Sequence, residues 1–238
     1  MHKIKVSGLV VDVVRKNIKN LHLAVYPPTG RVRVAAPLRV SDEAVRLAVI
    51  TRLGWIKRQQ AKFSGQDRQS EREYVTGESH YFQGQRYRLN VIYQDSPAHV
   101  SIRNNRTIDL FVRDESDTAQ RQRVLLTWYR QQLKLMLPPL IKRWERTIGV
   151  KVADSGVKHM KTKWGTCNVQ AHRVWINLEL AKKPVQCLEY ILVHEMVHLL
   201  ERHHNDQFTV LMDRFLPSWR LCRDELNRAP LRHEAWSY

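Results

Sequence analysis

The amino-acid sequence predicts an α+β protein in which a β-rich N-terminal region precedes a region dominated by helices. Short segments rich in β-branched and apolar residues, divided by polar turns, occupy most of residues 1–112. From Thr118 onwards, apolar residues recur at helical spacing over long stretches. The chain has 238 residues, of which 43% are hydrophobic, so it can bury a sizeable core.

Residues 1–66 are predicted to form a first domain of three strands and one helix. The strands are LVVDVV, LHLAVY and RVRVAA, separated by the polar segment RKNIKN and the turn PPTG. Because each strand follows the previous one after a short connection, we expect a three-stranded meander. Ser41 is the predicted N-cap of a single helix over DEAVRLAVITRLGWIKRQQAKF, which has acids in its first turn and bases in its last.

Residues 74–238 are predicted to form a second domain, after the polar segment SGQDRQSERE. Its first part contains short strands, and a long helix begins near Thr118. Pro138 and Pro139 are expected to break or kink this helix, and Gly149 to end it. Further strand-like segments, a buried helix after a lone proline and a final helix complete the chain. The pattern leaves open whether the strands continue the first sheet, so one continuous domain is the alternative.

The net charge of +17, with 40 Lys and Arg against 23 Asp and Glu, favours an anionic substrate or partner. A nucleotide, a nucleic acid or an acidic protein would each fit. No segment has the roughly 18 uninterrupted apolar residues of a membrane helix, and the N-terminus is a poor signal peptide. The three cysteines form no CxxC pair. We therefore expect a cytoplasmic protein with no membrane association.

The motif HEMVH, from His194 to His198, predicts a metal site. Positions four apart on a helix differ by about 40°, so His194 and His198 share one face and can reach one cation at about 2.0–2.1 Å. Glu195 is placed to take a proton from a water molecule on that metal. The alternative is a solvated helix that happens to contain histidines. The apolar segment YILV before the motif favours a buried helix, where unpaired His and Glu are costly.

A third ligand has to come from the two histidines that follow, His203 and His204. On a continued helix neither would point properly at the metal, so we expect the helix to end near Arg202 and the chain to turn. His204 comes ten residues after His194, which is the spacing of the third ligand in HExxHxxGxxH enzymes. Glu201 occupies the glycine position of that pattern. His203 remains the alternative ligand.

Several segments together resemble the YgjP-like metal-dependent hydrolases, which are relatives of the SprT-like zinc metallopeptidases. They are GESHYFQGQRYRLNV, KTKWGTCN, INLEL, a lone proline, YILVHEMVHLLERHHNDQF and LPSW, in this order. The resemblance extends from about Gly77 to Leu226. It implies a minimal zincin-like domain in which a small sheet lies beside an active-site HExxH helix.

The same resemblance implies a ligand set and a catalytic residue. His194, His198 and His204 are the expected ligands of one Zn²⁺ per chain, and Glu195 is the expected general base. Other divalent transition metals, such as nickel, cobalt or iron, suit the same imidazoles.

The sequence departs from the family pattern at four positions. Lys163 stands where arginine is frequent, Thr166 replaces serine, His203 replaces asparagine, and Thr209 replaces tryptophan. The change at His203 places two histidines side by side, which bears directly on the identity of the third ligand.

The segment KWGTC supplies candidate substrate-binding residues. A glycine in a strand marks a bulge or a close approach of backbone, and Gly165 has this position. Trp164 either packs over the active-site helix or is a core residue of a structural turn. Lys163 is a further candidate because it could face an anionic substrate, and His203 because it could contact substrate near the cleft.

Three functions fit these observations. The first is a zinc metallopeptidase that uses a metal-activated water. The second is a metal-dependent pyrophosphohydrolase that cleaves the phosphoanhydride of a nucleoside triphosphate, which suits the positive charge. The third is a nucleic-acid-associated binding protein with a vestigial metal site. An intact Glu195 speaks against the third, because a structural site needs no general base.

Overall fold

The structure is a computed structural model, and it describes residues 2–26, 29–64, 72–160 and 163–228. The chain divides into two compact units, one of Met1–Glu71 with Arg228–Tyr238 and the other of Arg72–Asn227. The predicted α+β class is confirmed. The division into independently folding domains stays a prediction. No helix in the described ranges is long and apolar enough to cross a membrane.

The N-terminal unit is built on a four-stranded sheet. Its strands are β1 (His2–Val6), β2 (Leu9–Lys16), β3 (His22–Tyr26) and β4 (Arg31–Pro37). Their order in the sheet is β1-β2-β4-β3, with β2 and β4 parallel and the two outer pairs antiparallel. The predicted meander is therefore wrong. β4 takes the central place because Val32, Val34 and Ala36 are fully buried, whereas β3 has no fully buried residue and lies at an edge.

Strand β1 was not predicted, although a local signal for it exists. Ser7 and Gly8 connect β1 to β2 with φ angles of 48° and 80°. Two successive positive φ angles characterise the tight hairpin turns that match the twist of antiparallel strands, and a glycine is typical there.

Two helices follow β4, where the sequence predicted one. They are α1 (Asp42–Ile50) and α2 (Leu53–Ser64). The Ser41 cap is confirmed, since its hydroxyl accepts from the N–H of Ala44 at 3.2 Å. The chain leaves the helix at Thr51, whose hydroxyl donates to the Ala48 carbonyl at 3.1 Å and so competes with helix hydrogen bonding. The core of this unit comprises Ile4, Val6, Val11, Val13, Val32, Val34, Ala36, Val45, Val49 and Ile56.

The second unit begins with another four-stranded sheet. Its strands are β5 (Ser79–Phe82), β6 (Gln85–Tyr93), β7 (His99–Arg103) and β8 (Thr107–Val112). The order β5-β6-β8-β7, with a parallel central pair between antiparallel outer pairs, repeats the arrangement of the first sheet.

A long helix, α3 (Thr118–Ile148), follows the second sheet. It starts at a capping box formed by Asp117 and Gln120 and ends at Gly149, which has a left-handed φ of 80°. The predicted end at Gly149 is confirmed. Of the predicted break or kink at Pro138 and Pro139, the break is wrong, because the helix continues through both prolines, and the kink stays a prediction. One face of α3 supplies Leu125, Tyr129, Leu133 and Leu137 to the core of the second unit.

The remaining elements form the layer that carries the candidate site. They are β9 (Asp154–Lys158), β10 (Gly165–Asn168), β11 (Arg173–Asn177), a short 3₁₀ helix (Leu178–Lys182), α4 (Val185–Val197), α5 (Asp206–Phe215) and α6 (Trp219–Arg228). The strand order is β10-β11-β9, so β10 is an edge strand. Helix α4 packs against β10 and β11.

Candidate metal centre

The HExxH motif occupies the last turn of α4, which is a buried helix. Leu188, Leu192, Val193 and Met196 are at most 1% exposed, as the apolar run before the motif predicted. The rings of His194 and His198 lie side by side with their centroids 5.0 Å apart. Helix geometry alone thus provides two neighbouring imidazoles.

Helix α4 ends at Val197, five residues before the predicted end near Arg202. The chain tightens as it leaves the helix, because the N–H of Leu199 donates to Met196 and that of Leu200 donates to Val197. Such i→i+3 bonds are typical of a 3₁₀-like last turn. Asn205 then caps α5 by accepting from the N–H of Phe208 at 2.9 Å. This turn returns the chain to the face of α4.

The turn brings His204 to His194 and His198. One ring nitrogen of each of these three residues lies within 4.8 Å of the others, and Nε2 of His204 is 3.0 Å from Nε2 of His194. Across the described residues this is the one cluster of three metal-ligating side chains. His203 lies outside it, with an exposed side chain and a backbone N–H that donates to the Glu201 carboxylate at 2.9 Å. The structure thus brings His204, and not His203, to the motif.

Burial keeps two of the imidazoles neutral. Desolvation, together with the neighbouring His198 and His204, lowers the pKa of His194 to about 3. Desolvation also lowers the pKa of His198. Nδ1 of His198 lies 3.1 Å from the Glu201 carbonyl, to which it can donate, leaving Nε2 with a free lone pair. Three imidazole nitrogens that converge on one point fit a divalent transition metal.

Aromatic side chains enclose the histidines. The ring of Phe208 lies 4.7–4.9 Å from all three imidazoles. On another side, Tyr190 contacts His194 edge-on and stacks on Trp219. Trp219 is itself held by a hydrogen bond from its Nε1 to Asp213 at 2.8 Å. Packing of this kind restricts the rotamers of the imidazoles, and it was not predicted from the sequence.

Glu195 is 6% exposed and lies against β10. A Cβ atom on Gly165 would be 2.7 Å from both Cγ and Oε1 of Glu195, so only glycine allows this approach. Burial raises the pKa of Glu195 to about 7, while the Lys163 ammonium and the backbone N–H of Cys167 act in the opposite direction. The carboxylate is therefore poised to exchange a proton near neutral pH.

Asn177 fixes the segment that contains Lys163, Trp164 and Gly165. Its buried side-chain amide donates to the carbonyl oxygens of Met160 and Lys163 at 2.8 and 2.6 Å, and its backbone N–H donates to Trp164. The sequence marked the strand that contains Asn177 but gave no signal for this role, because the partners lie 13 to 17 residues earlier in the chain.

The three imidazoles and Glu195 line a cleft of about 1000 Å³. Three of the candidate substrate-binding residues, Lys163, Trp164 and Gly165, line it, and the fourth, His203, is not among its lining residues. Arg202 and Arg223 also line the cleft and were not predicted. Cys167 lies in the wall too, but burial raises the pKa of its thiol to about 11, which disfavours the thiolate that a metal ligand requires.

A small sheet beside a helix that presents two histidines and a glutamate, with a third histidine returned by a turn, has the form of a metal-dependent hydrolase. A sequence profile of the YgjP-like, metallopeptidase domain matches residues 19–229. The chain belongs to this family of metallopeptidases. No curated protein matches the sequence significantly. Among solved structures, the chain is similar to the metallopeptidase zymogen of Pyrococcus abyssi abylysin, with 15% identity and a TM-score of 0.35 over 37% of this chain and 89% of that one.

Proposed function

We propose that the chain is a zinc-dependent peptidase in which His194, His198 and His204 hold the metal and Glu195 is the general base. One observation carries the proposal: three imidazole nitrogens within 4.8 Å of one another lie beside a buried carboxylate in an open cleft. Membership of a metallopeptidase family supports the reaction class.

Zinc bound to these three nitrogens would polarise the substrate carbonyl and lower the pKa of a water molecule. The rest of the reaction falls to the protein itself. Glu195 takes a proton on a carboxylate oxygen as the water attacks, and it then delivers this proton to the nitrogen of the leaving amine. Burial raises the pKa of Glu195, which makes its carboxylate a stronger base for the first of these transfers.

The cleft wall favours an extended peptide as substrate. Strand β10 lies at the edge of its sheet and its residues line the cleft. An edge strand offers backbone N–H and C=O groups that can pair with an incoming strand. Asn177 holds the start of this wall in place through the carbonyl of Lys163.

The cations of the cleft favour an anionic substrate, for which there are two candidates. Lys163, Arg202 and Arg223 line the cleft, and among the described lining residues Glu195 is the only acid. In a peptide they would select Asp or Glu near the scissile bond. In a nucleoside triphosphate they would stabilise phosphoryl oxygens, so phosphoanhydride hydrolysis is the second candidate function.

A substrate screen with zinc-loaded protein separates these candidates. We expect cleavage of quenched-fluorescent peptides, faster for peptides with Asp or Glu flanking the bond than for matched peptides with Lys. A chelator should abolish cleavage, and zinc should restore it. Release of pyrophosphate or phosphate from nucleoside triphosphates with no peptide cleavage would replace the first candidate by the second.

The metal content gives a separate test. The purified protein should hold about one zinc per chain, following the ligand count. Exchange of both His194 and His198 for alanine should abolish this content in elemental analysis. A double variant that retains the wild-type content would exclude the site.

A further inference from the structure

The positive charge of the chain is concentrated in its smaller unit. Residues 2–64 contain 13 Lys and Arg and three Asp and Glu, a net charge of +10. Residues 72–227 contain 24 Lys and Arg and 17 Asp and Glu, a net charge of +7 over a much longer segment. The imbalance that suggests an anionic partner therefore comes mainly from the N-terminal unit, which contains none of the proposed catalytic or metal-binding residues.

Five of these 13 cations lie on one face of the N-terminal sheet. Side chains alternate between the two faces along each strand. One face carries Ile4, Val11 and Val34 and packs against α1 and α2. The other, which we call the open face, carries the alternate residues Lys3, Lys5, Val10, Asp12, Val14, Lys16, His22, Ala24, Tyr26, Arg31, Arg33 and Ala35.

The cations of the open face form rows across the sheet. Strand pairing places Lys3 opposite Asp12, which in turn lies opposite Arg33. The next row contains Lys5 and Val10 on β1 and β2, and Arg31 opposite Tyr26 on β4 and β3. Since neighbouring strands are about 4.8 Å apart, the cations on β1, β2 and β4 are spread over about 10 Å. A row of this width suits a polyanion better than a single small anion.

The three acids of residues 2–64 form no ion pair with the lysines of the open face. Asp12 is its one acidic residue; it is 3% exposed and forms an ion pair with Arg31. Asp42 and Glu43 lie on α1, in the other layer, and pair with Arg15 and Arg46 there. Lys3, Lys5 and Lys16 are all exposed.

The open face also offers rings at its far edge. His22 and Tyr26 lie on β3, and Tyr26 is half-buried and outside the apolar core. Bases of single-stranded nucleic acid stack on aromatic side chains while cations contact the phosphates, and a four-stranded sheet is a known geometry for such binding. A flat sheet face cannot enter the major groove of a duplex, which admits a helix or a two-stranded ribbon.

We propose that the open face of the N-terminal sheet binds single-stranded nucleic acid. Lys3, Lys5 and Lys16 contact phosphates, and Tyr26 stacks on a base. A membrane surface fits less well, because the exposed Leu47, Ile50 and Trp55 lie on the helices of the opposite layer, and Val10 is the one large apolar side chain strongly exposed on the open face. This binding requires neither zinc nor an intact catalytic site.

Fluorescence anisotropy of the full chain with labelled single-stranded RNA and DNA, over a series of salt concentrations, tests the proposal. The test variant is Lys3→Gln, Lys5→Gln and Lys16→Gln together. Its control is Arg52→Gln, Lys57→Gln and Arg58→Gln, which removes the same charge from exposed positions at the helices. We expect the test variant to bind about tenfold more weakly or worse near 0.1 M salt, and its plot of log K against log salt to be shallower by about 2. The control should bind nearly as the wild type does.

Further variants test the stacking and the nature of the partner. Tyr26→Leu should weaken binding of single strands severalfold, and Tyr26→Phe should restore it. If the lysine variant and its control lose the same affinity for oligonucleotides, the effect is one of net charge and the proposal is overturned. No detectable binding by the wild type would also overturn it. Binding of anionic vesicles or polyglutamate that exceeds oligonucleotide binding and depends on the same lysines would also overturn it, in favour of a membrane or an acidic protein.

Discussion

The two four-stranded sheets share one topology but differ in the secondary-structure elements that follow them in the chain. In both, a two-residue hairpin joins the first two strands, a parallel pair lies at the centre, and an edge strand completes the sheet. Even the hairpin turns agree, with φ angles of 48° and 80° at Ser7 and Gly8 and of 50° and 80° at Gln83 and Gly84. Between the first sheet and the start of the second, the described residues form α1 and α2. The second sheet is followed by α3 and by all the elements of the candidate metal centre.

The sheet is therefore a scaffold, and the candidate chemistry resides in the elements added to it. The faces that carry Asp12 in the first sheet and Asp109 in the second each hold one buried acid that is paired with an arginine. In the second sheet Arg103 binds Asp109 through two hydrogen bonds of 2.8 and 3.1 Å, and this guanidinium lowers the pKa of that carboxyl. In the first sheet the same face also carries the exposed Lys3, Lys5 and Lys16, and in the second it carries the exposed Arg86 and Arg88. One arrangement thus serves a hydrolytic site in one unit and a proposed polyanion surface in the other.

The largest expected effect concerns Glu195. Glu195→Gln should lower kcat for peptide cleavage by roughly 10²–10⁴, because the amide cannot accept the proton of the water. The zinc content should stay at the wild-type level, since the residue is proposed as a base and not as a ligand. The matched control is Glu43→Gln, in exposed α1 of the other unit, which should cleave normally. Near-normal turnover by Glu195→Gln would remove it from the mechanism.

The adjacent histidines provide a test with zinc affinity as its readout. His204→Ala should raise the Kd for zinc by at least about 10², since loss of an outer partner alone costs 10–100-fold. His203→Ala should leave the Kd nearly unchanged, because this side chain lies outside the cluster. A competition titration with a chelator measures both values. A larger increase of the Kd in His203→Ala than in His204→Ala would make His203 the third ligand.

Alanine substitutions at Gly165, in the candidate site, and at Gly54, in the N-terminal unit, compare the effect of an added methyl group at the two places. Gly165→Ala should lower kcat by about 10² with zinc retained, because a Cβ 2.7 Å from Oε1 displaces Glu195 from its position. At Gly54 the nearest atom to an added Cβ is 3.6 Å away, so Gly54→Ala should leave activity intact and stabilise α2 by up to about 1 kcal/mol. Steady-state kinetics and thermal unfolding of both variants decide the outcome. Full activity of Gly165→Ala would mean that the close packing against Glu195 is dispensable.

Local signals in the sequence predicted much of the fold and the arrangement of the motif. The Ser41 cap, the helix end at Gly149 and the shared face of His194 and His198 each depend on residues a few positions apart, so their physics is contained in a short segment. The turn that returns His204 to α4 was predicted in kind, although its start was placed too late.

The remainder depends on contacts between distant segments. The central place of β4 reflects burial against α1 and α2, which no single strand reveals. The support of the cleft wall by Asn177 and the approach of Gly165 to Glu195 join residues 14 to 30 positions apart. The shared topology of the two sheets leaves no periodicity in the sequence, because hydrogen bonding between strands uses the backbone and tolerates different side chains.

The smallest expected effect compares the two hairpin turns directly. Gly8 and Gly84 both have a φ of 80°, which costs an L-residue about 1 kcal/mol or somewhat more. An added Cβ on Gly8 meets no atom within 4 Å, so Gly8→Ala should cost only this backbone strain.

On Gly84 an added Cβ would lie 2.7 Å from Cγ and 3.0 Å from the backbone nitrogen of Pro184, at the start of α4. Overpacking of this kind adds about 1–3 kcal/mol, so Gly84→Ala should destabilise the protein more than Gly8→Ala does. The free energies of unfolding from urea titrations, with hydrogen exchange of the turn amides to locate the change, measure the difference. Equal costs would show that α4 yields to the new methyl group. In that case we would also expect peptide cleavage to fall in Gly84→Ala, because a shifted α4 carries His194 and Glu195 with it.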